Sequence, residues 1–129
     1  MVKIFIIDDN EDFVLLFSQA VSKTHPECQC LSAENGYNAL RQLKFMLPTV
    51  PDFIFVDVKM PIMNGHEIVN ELKKSNMFAS VPIIMYSAEA SPEDEIKARE
   101  AGTDGFYPKP SSAEKINTLI TSVFNMRKN

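Results

Sequence analysis

The chain has 129 residues, of which 45% are hydrophobic, and this is enough for one domain with a single core. Its formal net charge of -4 comes without a basic stripe, and its cationic clusters are as short as Arg127 and Lys128 at the tail, so direct nucleic-acid binding is disfavoured. The first apolar run is too short for a signal peptide and no later stretch approaches a membrane span, which predicts a cytoplasmic protein without membrane insertion.

Strand and helix patterns alternate along the chain. The predicted strands are residues 4–7, 28–32, 53–56, 81–86 and 105–107. The first three predicted helices are residues 11–23, 36–47 and 65–74, and two more follow Ser91 and Pro110. Asn10 or Asp9 is a candidate cap for the first helix.

Capping patterns mark the last two predicted helices. Ser91 followed by Pro92 and acidic residues is typical of a helix start, and Gly102 is well placed to end that helix. Ser111 and Glu114 form a second capping-box pattern, which predicts that the last helix begins at that serine.

The apolar runs predict an α/β fold with a doubly wound parallel sheet of five strands. Residues 4–7 and 53–56 contain no polar side chain, and side chains alternate along a strand, so these strands are expected to be buried on both faces. Five repeats of a strand followed by a helix favour a parallel sheet with helices on both sides.

Two cysteines, Cys28 and Cys30, stand two apart in the second predicted strand, so their side chains would point to the same face. This is poor geometry for a mutual disulfide, and two thiols are too few for a zinc site. We expect small, free side chains that face the core.

Acidic residues follow two of the predicted strands. Asp8 and Asp9 come after the first strand and Asp57 comes after the third. In parallel sheets, ligands bind outside the carboxyl ends of the strands, so these three acids are expected to share one crevice. Each acid taken alone has a simpler explanation, since Asp8 or Asp9 could cap the first helix and Asp57 could be a turn residue.

Three more residues stand in or after the later strands: Ser87, Phe106 and Lys109. Clustered carboxylates raise one another's proton affinity unless a cation intervenes, and hard oxygen ligands favour Mg²⁺. Mg²⁺, a lysine and a serine hydroxyl could together stabilise a phosphoryl group that is attacked by one aspartate. The combination therefore predicts phosphoryl chemistry.

These residues give the chain a resemblance to the response-regulator receiver domains of two-component signalling. The resemblance covers the whole chain and is carried by Asp8-Asp9, Asn35-Gly36, the segment 57–65, Ser87-Ala88 and Lys109-Pro110. It implies a flavodoxin-like sheet with strand order 2-1-3-4-5. It further implies that residues 1–129 are a stand-alone, chemotaxis-type receiver with no output domain.

The resemblance also implies the roles of the acids. Asp57 would be the phosphoacceptor for a sensor histidine kinase or a histidine phosphotransfer protein. Asp9 and Asp57 would bind Mg²⁺ directly, Asp8 would bind it largely through water, and the backbone carbonyl of Lys59 would complete the protein ligands. The protein would be a switch that catalyses only its own phosphorylation and dephosphorylation, and not an enzyme with a separate substrate.

The remaining roles concern the response to phosphorylation. Lys109 would pair with the phosphoryl group, Ser87 would hydrogen-bond to it, and Phe106 would be the aromatic switch that turns inward. The surface of the fourth helix, fifth strand and fifth helix would change and bind a downstream protein. The sequence leaves a homodimer open.

Several positions depart from the common receiver pattern. Phe106 replaces a frequent tyrosine, and the adjacent Tyr107 would point the other way in a strand. Lys59 could pair with Glu89 across the mouth of the site and hinder water, which predicts a long-lived phosphoryl group. Pro108 and Ser111 are further departures whose consequences the sequence does not reveal.

Receivers commonly have a cis bond after the conserved lysine, which here would join Lys109 to Pro110 and help to aim the lysine. We therefore expect a cis bond at this position.

Two other classes of protein remain open. A phosphatase of the haloacid-dehalogenase type also uses an aspartate after a strand, but it needs a second aspartate two residues later, where this chain has Lys59. A constitutive interaction module that has lost phosphorylation is disfavoured by the intact set of acids, serine and lysine.

Overall fold

The computed structural model describes residues 1–126, so Arg127 and Lys128 of the tail cluster lie outside the described residues. Five parallel strands form one sheet in the order β2-β1-β3-β4-β5, which confirms the predicted fold class and strand order. The strands are β1 (Val2–Ile7), β2 (Cys28–Ala33), β3 (Phe53–Asp57), β4 (Ile83–Ser87) and β5 (Gly105–Pro108). The helices are α1 (Glu11–Thr24), α2 (Gly36–Arg41), α3 (Gly65–Lys73), α4 (Pro92–Ala101) and α5 (Ala113–Phe124).

Helices cover both faces of the sheet and create two hydrophobic clusters. Alternate residues of the central strands pack against α1 and α5 on one face, and the intervening residues pack against α2, α3 and α4 on the other. The predicted burial of the first and third strands is confirmed, because residues 4–7 are 0% exposed and residues 53–56 are at most 1% exposed. This double burial leaves the strand ends as the place where polar side chains can emerge.

Most of the predicted helix ends are confirmed. Asn10, and not Asp9, caps α1 by accepting a hydrogen bond from Phe13 N. Ser91 caps α4, and Gly102 ends it with a φ of 97°, a left-handed conformation that glycine adopts without strain. Asn64 and Glu67 form a capping box at the start of α3, which was not predicted from the sequence.

The predicted start of the last helix is wrong by one residue. Ser112, and not Ser111, caps α5, because its side chain accepts a hydrogen bond from Lys115 N and its backbone is extended. Pro110 is buried two residues beyond the end of β5 and Ser111 is exposed, so the chain leaves the core at Ser111 before the helix begins.

Two of the other differences from the predicted boundaries have a clear physical cause. β4 begins at Ile83 instead of Val81, since Pro82 has no amide to donate and Val81 N closes a turn onto Phe78 O. The predicted second helix ends as a wider π-helical turn at Gln42–Met46, in which Leu47 N donates to Gln42 O.

Cys28 and Cys30 are free, half-buried thiols that pack against the cluster beneath α1 and α5. Burial raises the pKa of both thiols, so they are poor nucleophiles and behave as the small core-facing side chains that we expected. Among residues 1–126, no helix has the length and apolar character needed to cross a membrane.

Candidate functional site

The three acids meet at one edge of the sheet, as the sequence predicted. β1 and β3 are neighbours in a register that pairs Ile7 with Val56, so the residues that follow this pair, Asp8 and Asp57, lie side by side. Carboxylate oxygens of Asp8, Asp9 and Asp57 lie within 4.8 Å of one another. Asp8 and Asp57 are buried, whereas Asp9 is exposed at the mouth of the site.

Lys109 bridges the two buried acids. Its ammonium group lies 3.1 Å from Asp8 Oδ2 and 3.2 Å from Asp57 Oδ2. The ammonium group also lies 4.5 Å from the centre of the Phe13 ring, in a cation-π contact that was not predicted from the sequence. Burial opposes the charged form, but the two carboxylates outweigh it, so the pKa of Lys109 is raised and the side chain stays cationic.

Asp57 is held by two donors, one on each oxygen. Oδ1 accepts a hydrogen bond of 3.2 Å from Lys59 N, and Oδ2 accepts the ammonium of Lys109. Burial first, and then repulsion from Asp8, raise the pKa of Asp57 above its ordinary value, although Lys109 and the amide of Lys59 oppose the shift. A second cation beside this carboxylate would favour its ionised, nucleophilic form.

Asp8 is fixed by three donors. Oδ1 accepts a hydrogen bond of 2.8 Å from Asn10 N, and Oδ2 accepts both the Lys109 ammonium and a hydrogen bond of 2.7 Å from the Tyr86 hydroxyl. Tyr86 was predicted to lie in the fourth strand, but no role was predicted for its hydroxyl. The available signal was a hydroxyl inside an otherwise apolar strand, since a buried tyrosine hydroxyl usually finds a partner.

Ser87 and Phe106 lie on the same face of the sheet, the one covered by α2, α3 and α4. Ser87 is 0% exposed, and its Oγ accepts a hydrogen bond from Glu89 N at 3.3 Å. Phe106 pairs with Met85 in the sheet and is half-buried against the cluster on that face. Tyr107 packs on the opposite face, as strand alternation predicted.

Pro108 changes the way in which β5 ends. Asp104 N donates to Ile83 O, and hydrogen bonds in a parallel pair recur at every second residue, so the ladder would reach Ser87 O through the amide of residue 108. Proline has no such amide, and Lys109 N donates to Ser87 O instead, at 2.9 Å. The expected cis bond between Lys109 and Pro110 is wrong, because no peptide bond in the described residues is cis.

An exposed ion pair stands beside the acids. Lys59 Nζ lies 3.5 Å from Glu89 Oε2, and the two side chains are 57% and 83% exposed. The pair joins the loop after β3 to the loop after β4, which is the juxtaposition that the sequence suggested. Solvent screening keeps the contribution of such a pair to stability small.

The loop between β3 and α3 folds back beside Asp57. Gly65 N donates to Val58 O at 2.9 Å, and Met63 N donates to Pro61 O at 2.8 Å across Ile62. Ile62 has a φ of 70° at the centre of this three-residue turn and is 83% exposed. A β-branched residue in this region of backbone conformation is strained.

The donor set suits a small divalent cation. The carboxylates of Asp8, Asp9 and Asp57 are hard oxygen ligands. The hydrogen bond from Lys59 N to Asp57 Oδ1 places the backbone of Lys59 at the same site. The cluster contains no sulfur or imidazole ligand among the described residues, which favours Mg²⁺ over softer metals.

Buried acids and a bridging lysine at the carboxyl ends of parallel strands form an arrangement on this doubly wound fold that can stabilise a phosphoryl group. The family model described as "Response regulator receiver domain" matches residues 4–121, and the chain belongs to this family. The chain is therefore a signalling switch of two-component systems, as its sequence indicated.

Individual relatives agree with this assignment. The chain is 31% identical over 114 residues to Protein PilG of Pseudomonas aeruginosa, with 88% of this chain and 81% of PilG covered. Its fold matches the chemotaxis response regulator CheY4 of Vibrio cholerae with a TM-score of 0.84 and 26% identity, covering 95% of this chain and 98% of CheY4. It is also 26% identical to the sensor histidine kinase TmoS of Ectopseudomonas mendocina, of which it spans only 12%, although 97% of this chain is covered.

Proposed function

We propose that Asp57 is the residue that accepts the phosphoryl group from a phosphohistidine of a sensor histidine kinase or a histidine phosphotransfer protein. The observation that carries this proposal is the Lys109 ammonium, which lies 3.2 Å from Asp57 Oδ2 and holds a positive charge where the phosphoryl oxygens would arrive. A carboxylate oxygen of Asp57 attacks phosphorus and forms a P–O bond. The P–N bond to histidine breaks, and its electron pair stays on the imidazole nitrogen.

The proposed cofactor is Mg²⁺, held directly by Asp9, Asp57 and the backbone carbonyl of Lys59, and by Asp8 largely through water. When bound, the ion neutralises charge on the phosphoryl oxygens. The chain's own contribution is to keep the acids at one edge of the sheet, within 4.8 Å of one another, and to bring Lys109 beside them.

Ser87 and Lys109 are proposed to bind the transferred group, the first through its hydroxyl and the second through its ammonium. Hydrolysis ends the signal when water attacks phosphorus, the P–O bond to Asp57 breaks, and inorganic phosphate leaves. The protein thus catalyses only its own phosphorylation and dephosphorylation.

The proposed output is a changed surface on α4, β5 and α5, with Phe106 as the aromatic switch and a downstream protein as the partner. Of the ten residues of α4, only Ala98 is buried, so this helix is held by little apolar contact and can shift at low cost. A homodimer, a cytoplasmic location and a stand-alone organisation of residues 1–129 without an output domain stay predictions.

Intact mass after incubation with Mg²⁺ and acetyl phosphate tests the phosphoacceptor. Wild type should gain one phosphoryl group, and Asp57→Asn should gain none. Asp12→Asn serves as the control, because Asp12 is an exposed acid in the first turn of α1 and should leave labelling unchanged. Labelling of Asp57→Asn equal to wild type would refute the assignment.

The same preparation separates the two other classes of protein. A haloacid-dehalogenase-type phosphatase would release phosphate continuously from a generic phosphate ester, whereas a switch should show no sustained release. An interaction module that has lost phosphorylation would gain no mass in the wild-type chain.

The Lys59–Glu89 pair should slow the loss of phosphate by hindering the attacking water. We expect Lys59→Ala to release phosphate faster, by at most about fivefold, because an exposed pair contributes only about 0–1 kcal/mol. The measurement is the decay of phosphoprotein after removal of the donor. Lys97→Ala is a matched control, since Lys97 forms a similar exposed pair with Glu93 on α4, at 3.4 Å. An unchanged decay rate in Lys59→Ala would contradict the proposed hindrance.

A further inference from the structure

Tyr86 contributes its hydroxyl to the acidic site from within the core. It is 0% exposed, it pairs with Asp57 in the register of β3 and β4, and its hydroxyl donates to Asp8 Oδ2 at 2.7 Å. Its ring packs against Phe13, with ring centres 5.2 Å apart. The hydroxyl is therefore held rigidly by a central strand and by aromatic packing.

The hydrogen bonds at Asp8 leave it few free positions. A carboxylate offers about four lone-pair positions, two on each oxygen. Oδ2 of Asp8 accepts hydrogen bonds from Tyr86 and Lys109, so both of its positions are occupied, whereas Oδ1 accepts only Asn10 N among the described residues and keeps one position free. Asp57 accepts only Lys59 N and Lys109 among the described residues, which leaves each of its oxygens a free position.

We infer that Tyr86 is a positioning residue that keeps Oδ2 of Asp8 away from the bound cation, so that Asp8 offers the ion at most one oxygen, and that it thereby favours Mg²⁺ over larger cations. This inference rests on the cation site of the proposed function and adds a determinant of its selectivity. Because the Tyr86 hydroxyl is uncharged and fixed by β4, it continues to occupy Asp8 Oδ2 even when Lys109 turns toward an incoming anion.

The selectivity follows from the ligand demands of the two cations. Mg²⁺ retains several water molecules and needs few protein ligands, whereas Ca²⁺ takes six to eight oxygens and gains from every additional carboxylate. With Oδ2 held by Tyr86, Asp8 can offer the ion only Oδ1 or a water bound to it, which suits Mg²⁺. An Asp8 released from this hydrogen bond can turn Oδ2 toward the ion, which suits Ca²⁺.

Calorimetric titration of the unphosphorylated chain with MgCl₂ and with CaCl₂ tests the inference. In Tyr86→Phe, which removes only the hydroxyl, the ratio of the Ca²⁺ Kd to the Mg²⁺ Kd should fall at least about tenfold, the factor expected for one hydrogen bond to a charged carboxylate. Tyr107→Phe is the matched control, because Tyr107 is its sheet partner on β5 and packs against the same cluster. Its ratio should equal that of wild type.

A ratio in Tyr86→Phe that is unchanged, that moves in favour of Mg²⁺, or that is matched by Tyr107→Phe overturns the role of Tyr86. Tyr86→Met provides a second chain that lacks the hydroxyl, in case the phenylalanine variant does not fold, and the same fall in the ratio is expected. Wild-type Mg²⁺ binding and acetyl-phosphate labelling are measured first. Their failure would count against the proposed function, whereas a failure confined to the Tyr86 variants would count against this inference alone.

Discussion

Ile62 combines two unfavourable features at a single position. Its φ of 70° strains a β-branched residue, and its side chain is 83% exposed, so no burial offsets the strain. Asparagine tolerates this conformation better, and we expect Ile62→Asn to raise the free energy of unfolding by about 1 kcal/mol. Urea unfolding measures the change. Ile96→Asn is the control, because Ile96 is 60% exposed in the regular helix α4 and should give no gain.

His66 supplies a pH-dependent contribution to stability. It is a half-buried residue at the start of α3, with Nε2 3.8 Å from Asp94 Oδ1 of α4. Burial lowers the pKa of His66 below its ordinary value, although Asp94 opposes the shift. The unfolded chain therefore binds a proton at a pH at which the folded chain does not, so the stabilisation exists above the ordinary pKa and is lost as the pH falls through the lowered one.

We accordingly expect acidification to destabilise wild type more than His66→Gln. Urea unfolding of both chains at about pH 7.5 and about pH 5.5 gives the comparison. Equal losses of unfolding free energy in the two chains would show that His66 does not contribute this dependence.

Single residues with an unusual chemical character were the easiest to predict. Asp8, Asp9 and Asp57 stand out because each follows an apolar run, and parallel strands bring such ends together. Tyr86 and Phe13 were missed as site residues because both fit a hydrophobic pattern, and their contacts with Asp8 and Lys109 join distant parts of the chain. Periodicity reveals which face a residue occupies but not which polar group it meets there.

Elements with a strong pattern and a clear cap were predicted well, and their weak ends were not. The prediction for α4 agreed with the structure because Ser91 and Gly102 mark its two ends. The second helix was predicted to continue to Leu47, but Pro48 pushes the preceding residue toward an extended backbone, and the helix widens before it ends. Sequence spacing does not distinguish an α-helical turn from a π-helical one.

Gly65 lets α3 begin directly against the end of β3. A Cβ at this position would overlap the backbone carbonyl oxygen of Asp57 and lie 2.8 Å from Val58 Cα, and neither backbone atom can move freely. We expect Gly65→Ala to lower the free energy of unfolding by about 1–3 kcal/mol, as overpacking usually does. Thermal or urea unfolding measures this loss, and slower labelling of Asp57 by acetyl phosphate should accompany it.

Gly36 provides the comparison for this prediction. A Cβ there would meet the Met63 sulfur at 2.6 Å and Ile68 Cγ1 at 3.0 Å, and both atoms belong to side chains, which can shift more easily than backbone. Gly36→Ala should therefore change the unfolding free energy by less than about 1 kcal/mol, since alanine also suits a helix better than glycine. An equal loss of unfolding free energy in both variants would show that overlap with the backbone does not account for the cost of a side chain at position 65.

At the scale of the whole molecule, the alternation of strands and helices was sufficient to predict a doubly wound sheet. The strand order was a different matter, because hydrophobic patterns do not say which strands are neighbours. That order came from the resemblance to receivers, and the observed pairing of β1 with both β2 and β3 confirms it. The two-sided core follows directly from the unbroken apolar runs.

Binding of Mg²⁺ should stabilise the entire fold, because the acids that hold it come together only in the folded chain. At a free Mg²⁺ concentration of about ten times Kd, the free energy of unfolding should rise by about 1.4 kcal/mol. Urea unfolding with and without MgCl₂ measures this increase. Asp9→Asn should lose this increase in unfolding free energy. Asp12→Asn should retain it, because Asp12 is an exposed acid on α1 outside the cluster. Retention of the full increase in Asp9→Asn would argue against Asp9 as a ligand.

Because Pro108 cannot donate a hydrogen bond, the backbone of Lys109 is linked directly to the backbone of Ser87. These are the two residues proposed to bind the phosphoryl group. Because the amide of Lys109 is hydrogen-bonded to the carbonyl oxygen of Ser87, a shift of the Lys109 backbone toward an anion would pull on the end of β4. On the proposed mechanism, the Lys109 ammonium and the Ser87 hydroxyl would therefore move together when the phosphoryl group binds. The same shift would reach β5, the outermost strand, through the main chain at Pro108.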